Sequence, residues 1–469
     1  MIRRSLAICL VFLGISLAAR LACAELRVGF AERDITPDVS KPVYIAGYGQ
    51  NRVATGVHDP LFARAVVLHD GERRIALVAV DLVGLQLPEV RRIRGELQDF
   101  AYVMVSSTHN HEGPDVIGIW GPSPIKSGVD ATYLTKVVNA CAAAVKEAAE
   151  QLRPAEAYFG TVKDHALLRD SRQPIVYDDV TRVLRFNKPG TQEPVGILVQ
   201  INNHPESLGS DNTLITADYP HATVAALQER YHCPIAYFTG TVGGLMSNPP
   251  EIPGPNGTPL RDENFEYAEY YGRQWAKVAE QAIDSATPTK LTPFAVAAKT
   301  ITAPLENPGY QMARKIGVLP REGRVWTGDF ETVGDVAAAD TPADKLAIET
   351  EIACLRLGEV HIACIPGEIY PELVYGQFQD PVDPGADYAD TPLEPAVMPM
   401  LPGEKKMLFG LANDEIGYII PRRQWDHVPP FAYGRDKSQY GEVNSCGSEI
   451  APILMKALQN RVKELESAE

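Results

Sequence analysis

The stretch Tyr102-Val-Met-Val105, followed at once by Ser-Ser-Thr-His109-Asn-His111-Glu-Gly-Pro114, decides how this chain is read. A short apolar run bounded by polar residues fits a buried β-strand, and the residues just past it are of metal-ligand type. The pattern recurs. Val195-Gly-Ile-Leu-Val-Gln-Ile201 runs into Asn-Asn-His204, and Val360-His-Ile-Ala-Cys-Ile365 runs into Pro-Gly-Glu368. A fourth run, Ile75-Ala-Leu-Val-Ala-Val80, stops on Asp81. Open α/β sheets bind ligands beyond the carboxyl ends of their strands. The repeated pattern therefore predicts histidines and a glutamate gathered at one mouth. Two histidines and a carboxylate with one position open form the ligand set of a hydrolytic zinc site.

Around these runs, strand and helix signals alternate. Leu26-Arg-Val-Gly-Phe-Ala, Phe62 to Leu68, Thr181 to Phe186 and Pro234 to Phe238 read as strands. Helices are predicted near Glu89 to Gln98, from His221 to Tyr231 and, most clearly, from Ala131 to Leu152. In the last, Leu134, Val137, Val138, Cys141, Val145 and Ala148 share one face. Asn264 to Ile283 and Ile450 to Leu465 are two further amphipathic helices. Glu306 to Lys345 and Asp380 to Pro402 read as irregular, and no short-period repeat is visible. The fold class expected is α/β: mixed sheets flanked by helices, with the active site at the carboxyl ends of strands.

The composition is that of a globular protein, 45% hydrophobic and 22% charged over 469 residues. Residues 1–24 read as an export signal, with Arg3-Arg4, an apolar Leu6 to Ala19 and an Ala22-Cys-Ala24 cleavage pattern. The expectation is an exported protein, periplasmic or extracellular, with residues 25–469 as one catalytic domain. Its three arginines leave with the signal, taking the net charge from −16 to −19. That charge argues against nucleic acid as a partner and against an anionic membrane held by charge alone. Beyond the signal no stretch is long and apolar enough to span a bilayer. Five cysteines remain. Cys354 and Cys364 lie in neighbouring strand-type runs, where opposition as a disulfide and burial as free thiols are both open.

Each chemical candidate has a bland alternative. In extended chain His109 and His111 point to one side, one towards a metal and one towards substrate; read plainly, they are two surface histidines. His204 alone would be a structural hydrogen-bonding residue, and Glu368 alone a solvated loop carboxylate. Their weight comes from position at strand ends. Gly243-Gly-Leu-Met-Ser247-Asn is either a nest of backbone donors with a serine beside it or a plain tight turn. Arg172 is either a grip on a substrate carbonyl or carboxylate or a salt-bridge partner. Tyr440, among glycines in a polar loop, is a functional phenol or a packed ring. Asp81 is placed to orient a ligating histidine.

At these residues the chain resembles the neutral/alkaline non-lysosomal ceramidases, in their N-terminal catalytic domain. The likeness is carried by Gly29-Phe-Ala-Glu-Arg-Asp-Ile-Thr-Pro37, Gly47-Tyr-Gly49, Leu61-Phe-Ala-Arg-Ala65, Val80-Asp81 and Ser107-Thr-His-Asn-His-Glu-Gly-Pro114. The resemblance implies zinc-dependent hydrolysis of the ceramide amide. It implies His109, His204, Glu368 and Tyr440 as Zn2+ ligands, His111 and Arg172 at the reacting carbonyl, and Ser247 as a candidate nucleophile. Leu245 stands where the family motif has Asp, so Ser247 is expected to position water or substrate. The chain is expected to be a short bacterial-type member without the family's immunoglobulin-like C-terminal domain. The reading is a zinc-dependent amidohydrolase acting on ceramide or a related N-acyl lipid, with transient contact at a membrane surface. An esterase or amidase on another substrate, and a non-catalytic metal- or carbohydrate-binding secreted protein, are the alternatives.

Overall fold

Three sheets of one design are laid out in succession. The computed structural model describes residues 25–467, so the expected signal at residues 1–24 lies outside the described residues. In the first sheet β1 (Arg27–Asp34), β2 (Phe62–His69) and β3 (Arg74–Val80) are antiparallel neighbours. Helix α1 (Leu87–Gly95) then crosses to β4 (Tyr102–Ser107), which pairs parallel to β3. Helix α2 (Ala131–Glu150) follows. The second sheet repeats the plan: β5 (Glu156–Lys163), β6 (Val180–Asn187) and β7 (Pro194–Ile201) antiparallel, then α3 (Tyr219–Tyr231) and a parallel β8 (Ile235–Thr239), then α4 (Phe265–Asp284). In the third, β9 (Phe294–Pro304) and an inserted α5 (Pro308–Lys315) precede β10 (Leu346–Leu357), β11 (Val360–Cys364) and a parallel β12 (Lys405–Phe409), and α6 (Ile450–Ser467) closes the set.

Strand alternation explains how the layers stack. Leu77, Leu198 and Ile362 face inward and join Phe30, Met104, Phe238 and Phe409 in one core shared by all three sheets. Their neighbours Val78, Val199 and Ala363 face outward, each under its own sheet's helices. Full burial of each such large aliphatic or aromatic side chain stabilises by about 1.5–3 kcal/mol. Two glycines let the helices lie this close. A Cβ on Gly29 of β1 would sit 1.9 Å from the Ala148 carbonyl oxygen of α2, and one on Gly160 of β5 would sit 2.0 Å from that of Ala282 on α4.

The parallel strands end around a common point. Thr239 Oγ1 donates to the Thr108 carbonyl at 2.8 Å, the Gly410 amide to the Thr239 carbonyl at 3.0 Å, and Ser106 Oγ to the Gly410 carbonyl at 2.8 Å. Carboxyl ends of strands from all three sheets are thereby brought together, as the sequence pattern implied.

Two expectations need correction. The segment Glu306 to Lys345 is not wholly irregular. Asn307 caps α5 by accepting from the Tyr310 amide at 3.1 Å, and Pro308 suits the first helical turn. Only one turn of apolar periodicity lies there, too little to register in the sequence. Cys354 is not opposite Cys364: the register pairs Cys354 with Ala363 and Ala353 with Cys364. The two thiols therefore point to opposite faces, into different cores. All five cysteines among the described residues are free and buried.

Candidate metal centre and cavity

His109 follows β4 with φ +66°, a left-handed backbone conformation uncommon for any residue but glycine. Such strain concentrates at functional sites. Its Nδ1 lies 2.7 Å from the Val83 carbonyl, and His204 Nδ1 lies 2.8 Å from the Met246 carbonyl. A carbonyl only accepts, so both Nδ1 atoms carry the proton and both Nε2 atoms are the free ring nitrogens. Those nitrogens converge on one atom, Glu368 Oε2, at 3.3 Å from His109 and 3.0 Å from His204. All three side chains are buried.

A neutral imidazole lone pair facing a carboxylate at that distance is repulsive unless a proton or a cation lies between them. Burial opposes charge here. The Glu368 contact nevertheless holds His204 up at about 9, and the two imidazoles hold Glu368 well below the usual carboxylate range. The cluster thus favours positive charge at its centre. His111 completes it, with ring centroids 4.8 Å from His109 and 5.6 Å from His204. The ligand atoms of His109, His111 and His204 all lie within 4.8 Å of one another. Neither His111 ring nitrogen has a hydrogen-bond partner among the described residues. Its closest acid, Glu206, stands 3.7 Å from Nδ1, beyond hydrogen-bonding range. Burial, with His109 and His204 beside it, holds His111 well below its ordinary value and so neutral. Convergent imidazole nitrogens, a carboxylate and an orphaned buried imidazole suit a divalent cation of the zinc type.

The cluster opens into a cavity of about 850 Å³. His109, His111, Glu368, Glu415, Tyr418 and Tyr440 line its polar end; Ile117, Ile119, Trp120, Leu305, Val318, Leu319 and Ile348 line the rest.

The remaining sequence candidates divide. Tyr440 reaches the cavity, but its hydroxyl accepts from Asn444 Nδ2 at 2.5 Å and its ring stands edge-on to Tyr418. Desolvation and nearby Glu368 push its phenol up to about 12, so it is neutral at pH 7. Arg172 does not line the cavity. It is buried, donating to both Glu442 oxygens at 2.8 and 2.6 Å, to the Tyr440 carbonyl at 2.7 Å and to the Gln424 carbonyl at 3.0 Å. The salt-bridge alternative describes it, with the addition that it anchors the Tyr440 backbone. Ser247 does not line the cavity either. It pairs with Arg169 in a two-residue ladder, and the functional atom of its turn is the neighbouring Met246 carbonyl. A Cβ on Gly243 would sit 2.5 Å from the Ile369 backbone, so that glycine permits close packing behind Glu368. Asp81 touches no ligand histidine; it accepts from Arg64 at 2.7 Å and from the Phe62 amide at 2.8 Å.

Sequence reasoning missed several participants. Val83 and Met246 act through backbone carbonyls, which no residue type announces. Arg52 donates to the carbonyls of His111 and Ala46 and to Glu112 at 3.1 Å, fixing the loop that carries His111. Glu415 lies in the cavity wall with Oε2 unpartnered, its carboxyl raised well above the usual range by burial and by Glu368. Its position shortly past the end of β12 was the available signal.

Comparison with known proteins points to one family. Residues 26–236 match the family described as neutral/alkaline non-lysosomal ceramidase, N-terminal. A neutral ceramidase of Pseudomonas aeruginosa is 25% identical over 299 residues, 58% of this chain and 44% of that protein. One of Drosophila melanogaster is 33% identical over 115 residues, 22% of this chain and 16% of the relative. The matches thus span less than half the length of these relatives. The crystal structure of the Pseudomonas aeruginosa neutral ceramidase superposes with a TM-score of 0.69 at 16% identity, covering 95% of this chain and 75% of that one. A ceramidase complexed with C2 gives the same TM-score at 15% identity. The family model thus matches residues 26–236 of this chain, and across nearly its whole length the chain shares the fold of the Pseudomonas aeruginosa neutral ceramidase.

Proposed function

We propose that this protein is a zinc-dependent hydrolase that cleaves the amide bond of ceramide or a related N-acyl lipid. The observation that carries the reading is the convergence of His109 Nε2 and His204 Nε2 on Glu368 Oε2 at the polar end of an apolar cavity. His109, His204 and Glu368 would hold Zn2+, with Tyr440 as a further candidate at the same wall. Bound there, the ion would polarise a carbonyl and lower the pKa of water towards roughly 7.

The chain's own groups supply the rest. Val83 and Met246 hold both Nδ1 atoms, so that Nε2 is the nitrogen turned towards Glu368 in each ring. Arg52 holds the His111 backbone, and the neutral His111 ring offers one N–H to oxygen charge developing on the substrate. The apolar wall around Trp120 and Leu319 excludes water and receives an acyl chain. Arg172 acts at one remove, by holding Tyr440 in place, and Ser247 has no part in bond cleavage.

The test pairs metal analysis with product analysis. The purified protein should carry about one zinc and release fatty acid and sphingosine from N-acylsphingosine. His109→Ala and Glu368→Gln should lose both metal and turnover. Release from short acyl esters with none from the amide would replace the amidase reading by an esterase. Full turnover in His109→Ala after chelation would end the metal-dependent reading altogether.

A further inference from the structure

Twelve large apolar or aromatic side chains stand out as exposed among the described residues; two of them, Tyr440 and Val443, line the cavity, and three more, Ile125, Met312 and Ile316, lie one or two residues along the chain from its lining residues Pro124, Ala313 and Arg314. Their backbones are tied to one another. Ile125 is 76% exposed at the tip of a tight turn closed by the Lys126 amide donating to the Ser123 carbonyl at 3.1 Å. That loop presses on the chain just after α5: a Cβ on Gly118 would meet the Val318 carbonyl oxygen at 2.0 Å. Met312 is 56% exposed on α5, and Ile316 ends the helix. On the other side, Asn307 Nδ2 donates to the carbonyls of Val443 at 2.9 Å and Ser445 at 2.8 Å. The segments carrying these apolar residues are thus packed against one another, and they adjoin the apolar cavity wall at Val318 and Leu319.

Charge on this face departs from the rest of the chain. The net charge is −16, yet residues 308–322 hold Arg314, Lys315 and Arg321 against one acid, Glu322, which faces Arg324 at 3.8 Å. Arg321 is neutralised by Asp414. Lys126 and Lys315 are exposed, and Arg314 between them and the cavity is half-buried in its wall. Exposed apolar side chains beside exposed cations, as in Ile125-Lys126 and Lys315-Ile316, match a bilayer surface, with its acyl region and its phosphates.

We infer that this face is a docking surface for an anionic phospholipid bilayer, seating the cavity mouth against the layer that holds the substrate. The inference rests on the proposed function for the identity of the substrate, but docking itself is measured without turnover. The full chain is co-sedimented with vesicles of phosphatidylcholine alone and of phosphatidylcholine with phosphatidylglycerol. Binding is expected to the mixed vesicles and to be much weaker on the neutral ones. Lys126→Gln and Lys315→Gln should each weaken binding to mixed vesicles roughly fivefold, and Ile125→Ser with Met312→Ser and Ile316→Ser about tenfold or more. These side chains are exposed, so circular dichroism and the unfolding midpoint should not change. Hydrolysis of a water-soluble short-chain amide should survive in the serine variant while hydrolysis of vesicle-embedded substrate falls with binding. Equal binding of wild type and variants, no binding to either vesicle, or self-association through this face without lipid binding would each overturn the inference. Intact vesicle binding with no hydrolysis of any amide would refute the proposed function and leave the docking surface standing.

Discussion

Glu442→Ala removes both oxygens that Arg172 grips, and the structure gives the size of the effect. The pair is buried, with 2% of the Arg172 and 0% of the Glu442 side chain exposed, and the bond is bidentate. Removing one partner strands the guanidinium away from water with only the carbonyls of Tyr440 and Gln424 as acceptors. Breaking a buried pair in this way costs about 3–5 kcal/mol, a large share of the roughly 5–15 kcal/mol that holds a domain folded. Replacing both partners by apolar groups, Arg172→Met with Glu442→Leu, should recover much of that loss, because no charge is left unpaired. Recovery should be incomplete, since the Asp426 amide also donates to Glu442, at 3.0 Å. Function should not recover with stability. The Tyr440 carbonyl would still lack its anchor, and a shift of about 1 Å in a positioned group costs on the order of a hundredfold in rate. Urea denaturation would follow stability in both variants, and kcat and KM on a soluble amide would follow function. A double variant with wild-type kcat and KM would refute the positioning role and leave Arg172 as scaffolding alone. Wild-type stability in Glu442→Ala would refute the buried pair.

Three further outcomes are expected. His111→Ala should keep its zinc while kcat falls about 10²–10³-fold, the loss typical of one oxyanion donor; loss of zinc by metal analysis would make His111 a ligand with His109 and His204. Glu331, bonded to Asn460 and Lys299 and facing Arg461, is lowered from 4.5 to about 2. A depressed carboxylate stabilises above its unfolded value and loses that contribution as pH falls, so the stability gap between wild type and Glu331→Gln should close between pH 4.5 and pH 2. The Glu331 side chain is 26% exposed and solvent screens its ion pairs, so the gap should be no more than about 1 kcal/mol; a gap that widens with acid, read from urea midpoints, would contradict it. All five cysteines of the described residues are buried and held above their ordinary thiol range by burial. A thiol reagent should therefore label none of them in the native protein and all of them in guanidinium; rapid native labelling would show the packing to be wrong.

The strand-end pattern was legible because burial and chemistry meet there in consecutive residues. An apolar run such as Tyr102 to Val105 needs no partner to be recognised, and the ligand type follows within a few positions, as with His109, His204 and Glu368. What the sequence hid depended on distant pairing. Nothing near Arg172 announces Glu442, 270 residues further on, so a cation free for substrate and a cation buried in a clamp looked alike. Ser247 looked chemical because glycines precede it, whereas Gly243 answers to the Ile369 backbone. The threefold plan was invisible for a different reason. The sheets share strand order and crossover, not residue spacing, and insertions as long as the one carrying α5 remove any regular period.

That plan has a consequence for synthesis. The first sheet delivers His109, the second His204 and the third Glu368. A chain emerging from the ribosome displays both imidazoles long before the acid is made. Under the proposed function, the trio of His109, His204 and Glu368 is complete only once the last third has been translated and has closed on the earlier two, so loading through that trio would belong to the finished protein.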